Sequence, residues 1–337
     1  MPDQSVERAD RPVKLHHLRA VVAIAEQGSL RGAARHLRIA QPTLTRGLSE
    51  LEGELGAPLF ERRAKGMIAT QLGTIFVRRA TAILNDVRKA QEEFAQMRGD
   101  AVGTVSIGLS SVGHILFLPK VLRPFRRKFP KVRLHVLEGY YPTLEQSLQD
   151  GSVDIYVGPD PGLTLPLTLQ KEQLFAGRRV VLCRIGHPLA QATSLKELVG
   201  AEWITTSITP KAENELGDLF NLHALPPPLL ALRSQSSLTL LTCLANSDLL
   251  AMVPAQWVVS PFANRVLAAI PVKEELRAPP IIVVKRSDVP LAPAATFLLD
   301  LVKRSAGHLI GGDGAQAGHA LSPLSARRGR AARTPAR

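Results

Sequence analysis

The chain has 337 residues, 45% hydrophobic and 4% aromatic, with a formal net charge of +13. That is too long for one typical core and implies two or three domains. Its 2 cysteines, Cys183 and Cys243, have no C-x-x-C spacing, which excludes a disulfide scaffold, a zinc ribbon and a redox pair and leaves reduced thiols. No run reaches the ~18 apolar residues of a membrane span and no signal-peptide core is present, so a cytoplasmic protein is expected.

Residues 1–13 carry no pattern and read as disordered. Leu18, Val21, Val22 and Ala25 then fall on one face of a 3.6-residue period, predicting a helix that Gly28 ends. The two histidines in that helix, His16 and His17, fall off this stripe and read as solvated or half-buried. Ser29 is placed to cap a second helix, Leu30 to Arg38, with Leu30, Ala33, Ala34 and Leu37 inward. A tight turn follows, then a third helix with Gln41 at its cap and Pro42 in its first turn.

In the third helix Leu44, Leu48, Leu51 and Leu55 form the buried stripe. The opposite face carries Pro42, Arg46, Ser49 and Gly53, flanked by Thr43 and Thr45, with no acid before Glu50. Such a face fits a major groove, where Gln and Arg read base edges and Thr meets a thymine methyl. One amphipathic helix alone is more often an ordinary solvated hairpin. What tips the balance is the sequel, two short apolar pieces around Arg62, Arg63, Lys65 and Gly66. These read as a two-stranded wing with a cationic tip suited to phosphate or the minor groove. Total charge is weaker support than this local pattern. Lys14 to Thr70 holds nine Lys/Arg against five Glu, and the tail beyond Ala306 five Arg against one Asp.

This segment resembles the N-terminal domain of LysR-type transcriptional regulators. The resemblance rests on Leu18, Val21, Ala25, Gly28-Ser29, Ala33-Ala34, Leu37, Gln41-Pro42, Thr45-Arg46, Leu51-Glu52, Leu55-Gly56, Pro58-Leu59-Phe60-Glu61-Arg62, Gly66 and Thr70 at fixed spacing. Thr43, Thr45, Gly47, Gly53 and Ala69 depart from the usual pattern and bear on base preference. The resemblance implies a winged helix-turn-helix over 14–72. Gln41, Pro42, Thr43, Thr45, Arg46 and Ser49 would face bases or phosphate, and Arg62, Arg63 and Lys65 the backbone or minor groove.

Gln71 to Arg98 reads as one long helix in which Phe76, Ala80, Ile83, Val87, Ala90, Phe94 and Met97 alternate spacings of 4 and 3. That seam predicts helices pairing with each other, and a paired linker over 73–98 matches a two-fold symmetric DNA site. From Gly103 to Arg304, nine strand candidates alternate with helical stretches: 105–109, 132–137, 153–157, 179–184, 203–206, 229–232, 249–253, 266–270 and 281–284. This order predicts an α/β fold with mostly parallel sheets. The resemblance implies a two-lobed, periplasmic-binding-protein-like effector domain over 102–306. Lobe one would take 103–170 with 268–304 and lobe two 171–267. Residues 307–337 read as a disordered basic tail.

Three strands run into small hydroxyl residues that open helices: Ser110-Ser111-Val112-Gly113, Thr205-Thr206-Ser207, and the stretch containing Ser236-Ser237. Taken singly, each Ser or Thr reads as a plain helix cap. The resemblance implies that they converge on a small effector, usually an anion, with Tyr140, Tyr141 and Pro159 nearby. The tyrosines suit stacking on an aromatic acid, and the lobes resemble those of members governing aromatic acid or sulfonate degradation.

No enzyme is indicated. Gly108 to Gly113 has one residue too many for a nucleophile elbow, and neither a metal site nor a cofactor is expected. The reading is a DNA-binding regulator that responds to a small molecule. Its partners would be double-stranded promoter DNA, an effector and RNA polymerase, and it would assemble as a homodimer or homotetramer. The competing reading is an architectural DNA-binding protein without an effector.

Overall fold

The computed structural model describes residues 13–64, 66–205 and 210–311. It divides into two compact units. The first comprises the described residues up to Gln173 with Pro280–Val302, and the second comprises Leu174–Pro279 with the residues from Lys303 onward.

The first unit opens with α1 (Leu15–Gln27), α2 (Leu30–Leu37) and α3 (Gln41–Leu55). Gly28 ends α1 with φ 63°, and the Ser29 hydroxyl accepts the Gly32 N–H at 3.1 Å, capping α2 as its sequence predicts. Gln41 is the first residue of α3 rather than its cap; Ala40 holds that position, without a side-chain hydrogen bond. Val21, Ile24, Ala33, Ala34, Leu44, Leu48 and Leu51 make the core.

The buried face of α1 is only partly the expected one. Leu18 and Val21 are buried as expected, but Val22 is half-buried and Ala25 exposed, while His17, Ala20, Ala23 and Ile24 are buried as well. The stripe is turned by about one residue, ~100°, because α1 is covered by α2 and α3 and also by the long helix that follows the wing. His17, expected to be solvated or half-buried, is therefore only 2% exposed.

The wing is β1 (Phe60–Arg63) paired antiparallel with β2 (Gly66–Ala69). Two anchors fix its base. The Glu52 carboxylate accepts the N–H groups of Leu59 (2.7 Å) and Phe60 (3.2 Å), and the Gly28 carbonyl accepts the Met67 N–H at 2.8 Å. Thr70 caps the next helix, α4 (Gln71–Met97), by accepting the Gly73 N–H at 2.9 Å.

Beyond α4 come β3 (Gly103–Leu109), α5 (Ser111–Leu116), α6 (Leu118–Lys128), β4 (Val132–Glu138), α7 (Tyr141–Gln149) and β5 (Ile155–Pro159). Strand β3 pairs parallel with both β4 and β5. In the second unit, β6 (Leu169–Arg184) pairs antiparallel with β9 (Ala251–Pro254) and β10 (Leu267–Ile270). A separate parallel pair there joins β7 (Glu202–Thr205) to β8 (Leu229–Arg233), flanked by α8 (Pro210–Leu222) and α9 (Ser237–Ala245). The chain closes with β11 (Arg277–Arg286), antiparallel to β5, and α10 (Pro293–Gly311).

Each of the nine strand candidates overlaps a strand, with ends displaced by one or two residues at β5, β9 and β10, but the pairing is mixed rather than mostly parallel. The difference arises because β6 and β11 carry the chain from one unit to the other and run opposite to their neighbours. The return to the first unit also falls at Pro280, not at residue 268, since β10 pairs with Val181–Arg184 of β6. Residues 307–311, expected in the disordered tail, continue α10. The remainder of that tail and residues 1–12 lie outside the described residues. Among the described residues no helix is long and apolar enough to cross a membrane.

Candidate nucleic-acid interface and effector residues

Helix α3 presents Gln41, Pro42, Thr43, Thr45, Arg46 and Ser49 as exposed side chains opposite the buried Leu44, Leu48 and Leu51. Leu55, expected in the buried stripe, is 40% exposed at the helix end. The Thr45 hydroxyl donates to the Gln41 carbonyl at 3.0 Å, so its hydrogen is engaged within the helix. Arg46 pairs with no carboxylate among the described residues, leaving its five N–H donors available. On the wing Arg62 is exposed. Arg63 pairs with Glu61 at 2.7 Å across solvent, a contact worth little and easily exchanged for a phosphate. Lys65 lies outside the described residues.

Behind this face sits His17, packed toward α3 at Gly47, with neither ring nitrogen hydrogen-bonded among the described residues. Burial pushes its pKa below the ordinary value, aided by His16 and Lys14 and opposed by Glu54 and Glu50.

Helix α4 has two working faces. Phe76 and Val77 pack on the core of the three short helices and Ala80 is buried, so the first part of the expected seam serves the chain's own head. Ile83, Phe94 and Met97 are 47%, 64% and 75% exposed, Ala90 is exposed and Val87 half-buried, a continuous apolar stripe. Roughly 160° around the helix lies a polar stripe, Asn85, Lys89, Glu92 and Gln96, that docks on the α/β part of the same unit. The Asn85 amide donates to the Asp150 carbonyl (2.9 Å), and Lys89 Nζ meets Asp154 Oδ1 at 2.7 Å. Glu92 accepts the Thr104 N–H at 3.3 Å, and Gln96 accepts the Ala294 N–H at 2.9 Å. Arg286 joins Asp86 of α4 (2.6 Å) to Asp288. Sequence reasoning passed over this stripe. Its 4-3-4 spacing was the available signal, but its partners lie up to 200 residues away.

In the first unit, Ser110 follows β3 beside the end of β5, its N–H held by the Val157 carbonyl at 3.0 Å. The Ser110 hydroxyl is buried and has no hydrogen-bond partner among the described residues. Gly158 is required alongside, since a Cβ there would collide with the Tyr156 hydroxyl and press on Ser110. Ser111, Val112 and Gly113 open α5 and are buried; Val112 is a core side chain that can offer only its backbone. Tyr140 and Pro159 are half-buried. Tyr141, expected to stack on an effector, is instead 2% exposed in the core against Tyr156, and burial pushes its hydroxyl up to about 12. In the second unit, the Thr205 carbonyl accepts the Ser234 N–H at 2.9 Å, which brings Thr205 next to the segment that opens α9. The Ser236 hydroxyl caps α9 by accepting the Thr239 N–H at 3.3 Å, and Ser237 is half-buried. Thr206 and Ser207 lie outside the described residues. Cys183 and Cys243 are free, buried and half-buried respectively.

A three-helix head with a free outer helix face and a wing, leading by a long helix into an α/β domain, defines a winged helix-turn-helix regulator. Residues 15–74 match the family described as bacterial regulatory helix-turn-helix protein, lysR family, and residues 98–307 match the LysR substrate binding domain. The chain is 27% identical over 293 residues to the HTH-type transcriptional regulator GbpR of Azospirillum brasilense, covering 85% of each. The solved structure of CbnR, a LysR family transcriptional regulator, aligns with a TM-score of 0.65 at 20% identity, over 87% of this chain and 99% of that one. Full-length CbnR complexed with its target DNA aligns with a TM-score of 0.64 at 21% identity, over 87% and 100%. The chain belongs to the LysR family of DNA-binding transcriptional regulators and carries that family's substrate-binding domain.

Proposed function

We propose that two copies pair through the outward stripe of α4 and read a two-fold symmetric promoter site with α3. In this reading the substrate-binding domain takes a small anionic effector that biases which arrangement of the heads is populated. The observation that carries the DNA assignment is the exposed face of α3, acid-free from Gln41 to Ser49, with Arg46 unpaired among the described residues. Arg46 and Gln41 contact bases, Thr43, Thr45 and Ser49 touch bases or phosphate, and the wing cations hold the backbone. Pairing is supported by the exposed run Ile83, Ala90, Phe94 and Met97, since side chains this large and apolar gain most by burial against a like surface.

An effector is supported by the buried Ser110 hydroxyl, unpartnered among the described residues, which a ligand acceptor would satisfy. Ser110, Ser111 and the N–H groups opening α5 form the first unit's set. Thr205, Ser236 and Ser237 form the second unit's. With Tyr141 in the core, an aromatic effector rests on Tyr140 alone. A cytoplasmic location, pairing of dimers into tetramers and contact with RNA polymerase belong to the same reading.

The test is Phe94→Glu, which places a charge in the stripe. Sedimentation should show the dimer lost and binding to a two-half-site duplex reduced to that of a half-site; an unaltered dimer contradicts the pairing. Thermal stabilisation by small carboxylic acids separates an effector-responsive regulator from an architectural protein, which would show none.

A further inference from the structure

The largest share of the net positive charge is not in the head. From Ala101 to Leu137 there is no Asp or Glu, while Lys120, Arg123, Arg126, Arg127, Lys128, Lys131 and Arg133 contribute seven positive charges. The head from Lys14 to Thr70, with nine Lys/Arg and five Glu, carries a net four. All seven cations are exposed, and none forms an ion pair among the described residues.

Helix geometry organises them. Val121 and Phe125 of α6 are 3% and 0% exposed and bury one side. At about 100° per residue, Lys120, Arg123 and Arg127 lie within ~60° of one another on the opposite side. Lys131 follows in the turn before β4. Arg126 is tied back, donating to the Val132 carbonyl at 3.1 Å, and Lys128 is held over the Phe297 ring at 4.2 Å. Arg126, Arg127 and Lys128 in the last turn complement the helix dipole. That accounts for neither Lys120 nor Arg123, which lie before the last turn.

We propose that the outer face of α6, carried by Lys120, Arg123, Arg127 and Lys131, is a second DNA-contacting surface that holds the phosphate backbone of duplex outside the half-sites read by α3. The stripe from Lys120 to Arg127 is about 10 Å long, enough to meet adjacent phosphates of one strand. Its cations stand on a single exposed helix face as point charges for phosphate oxygens, so the contacts proposed are to the backbone and sequence-independent. The partner is the polyanion that the head already brings to the molecule, and tethering makes even weak phosphate contacts effective. The inference rests on the head being a DNA reader.

The experiment compares the full-length protein with the triple variant Lys120→Gln, Arg123→Gln, Arg127→Gln. Each is titrated with a duplex limited to the two half-sites and with the same site extended by about two helical turns on each side. The expected result is unchanged affinity for the short duplex, on the order of tenfold weaker binding to the long one, and a salt slope there shallower by about 2 to 3. Equal affinity of the two proteins for the long duplex overturns the proposal. So does an equal loss on both duplexes, which would place the effect in the head or the fold. A changed oligomeric state by sedimentation assigns the face to a contact between copies, and lost transcription with intact binding to an acidic protein; either contradicts the DNA assignment. Failure of the unmodified protein to bind the short duplex at all would instead remove the reading of the head.

Discussion

Lys89 Nζ lies 2.7 Å from Asp154 Oδ1, and the other oxygen of that carboxylate accepts the Ser106 N–H at 2.7 Å. One aspartate thus ties the linker helix to the start of β5 and to the middle of β3. The far ends of those two strands carry Pro159 and Ser110. Ser110 and Pro159 therefore stand on strands that are themselves tied to α4. The side chains are 16% and 9% exposed, so removing the ammonium leaves a largely buried carboxylate with only its backbone partner. Lys89→Ala should destabilise this unit by about 2–4 kcal/mol, read by chemical denaturation, with Lys89→Met no better because the missing element is charge. A loss below ~0.5 kcal/mol would show that the pair is dispensable.

The buried His17 makes the head sensitive to acid. Its pKa in the folded chain is lowered by burial, so the unfolded chain takes up the proton first as pH falls. The stability that depends on neutral His17 is complete well above its ordinary value of 6.5 and is lost as pH drops through that value toward the lowered one. The slope reaches at most about 1.4 kcal/mol per pH unit. Glu50 and Glu54 of α3, His16 of α1 and Lys14 just before it act on the same ring and shape the dependence. Comparing His17→Leu with the unmodified chain at pH 7.5 and 5.5, the variant should lose measurably less stability over that interval, by no more than about 1.4 kcal/mol. Parallel pH profiles would remove His17 as the cause.

These two contacts differ in how far sequence could reveal them. The three short helices, the wing and α4 were legible because each writes its own period, cap or turn residue locally. His17 was misplaced by a one-residue rotation of the α1 stripe, since Val22 and Ala25 are as apolar as the residues that are in fact buried. The Lys89–Asp154 tie was illegible for another reason. Polar residues far apart in sequence announce no partnership, and Asp154 alone reads as an aspartate within a strand, hydrogen-bonded to backbone. On the candidate site, the outward side of α3 was legible and the effector set only partly so. Tyr140 and Tyr141 look equivalent in sequence, yet Tyr141 starts α7 and turns into the core.

Gly66 fixes the wing against the head. Its φ of 122° disfavours any side chain, and a Cβ would be driven into the Gly28 carbonyl oxygen, the same atom that accepts the Met67 N–H. Gly66→Ala should detach the wing base at a cost of about 1–3 kcal/mol and weaken DNA binding, while α4 and the α/β part stay folded. Hydrogen exchange would locate the effect: faster exchange at Met67 with protection retained at Ile107. Unchanged exchange at Met67 would mean that the close approach is relieved at no cost.

The outward side of α3 carries the account, and Arg46→Ala probes it most directly. Equilibrium titration of the unmodified and variant chains with a selected operator duplex and with a scrambled duplex of equal length gives the discrimination of each. Loss of one bidentate base contact should reduce that discrimination by about 1–3 kcal/mol while leaving binding to the scrambled duplex nearly unchanged. Discrimination equal to that of the unmodified chain would contradict the placement of α3 against base edges.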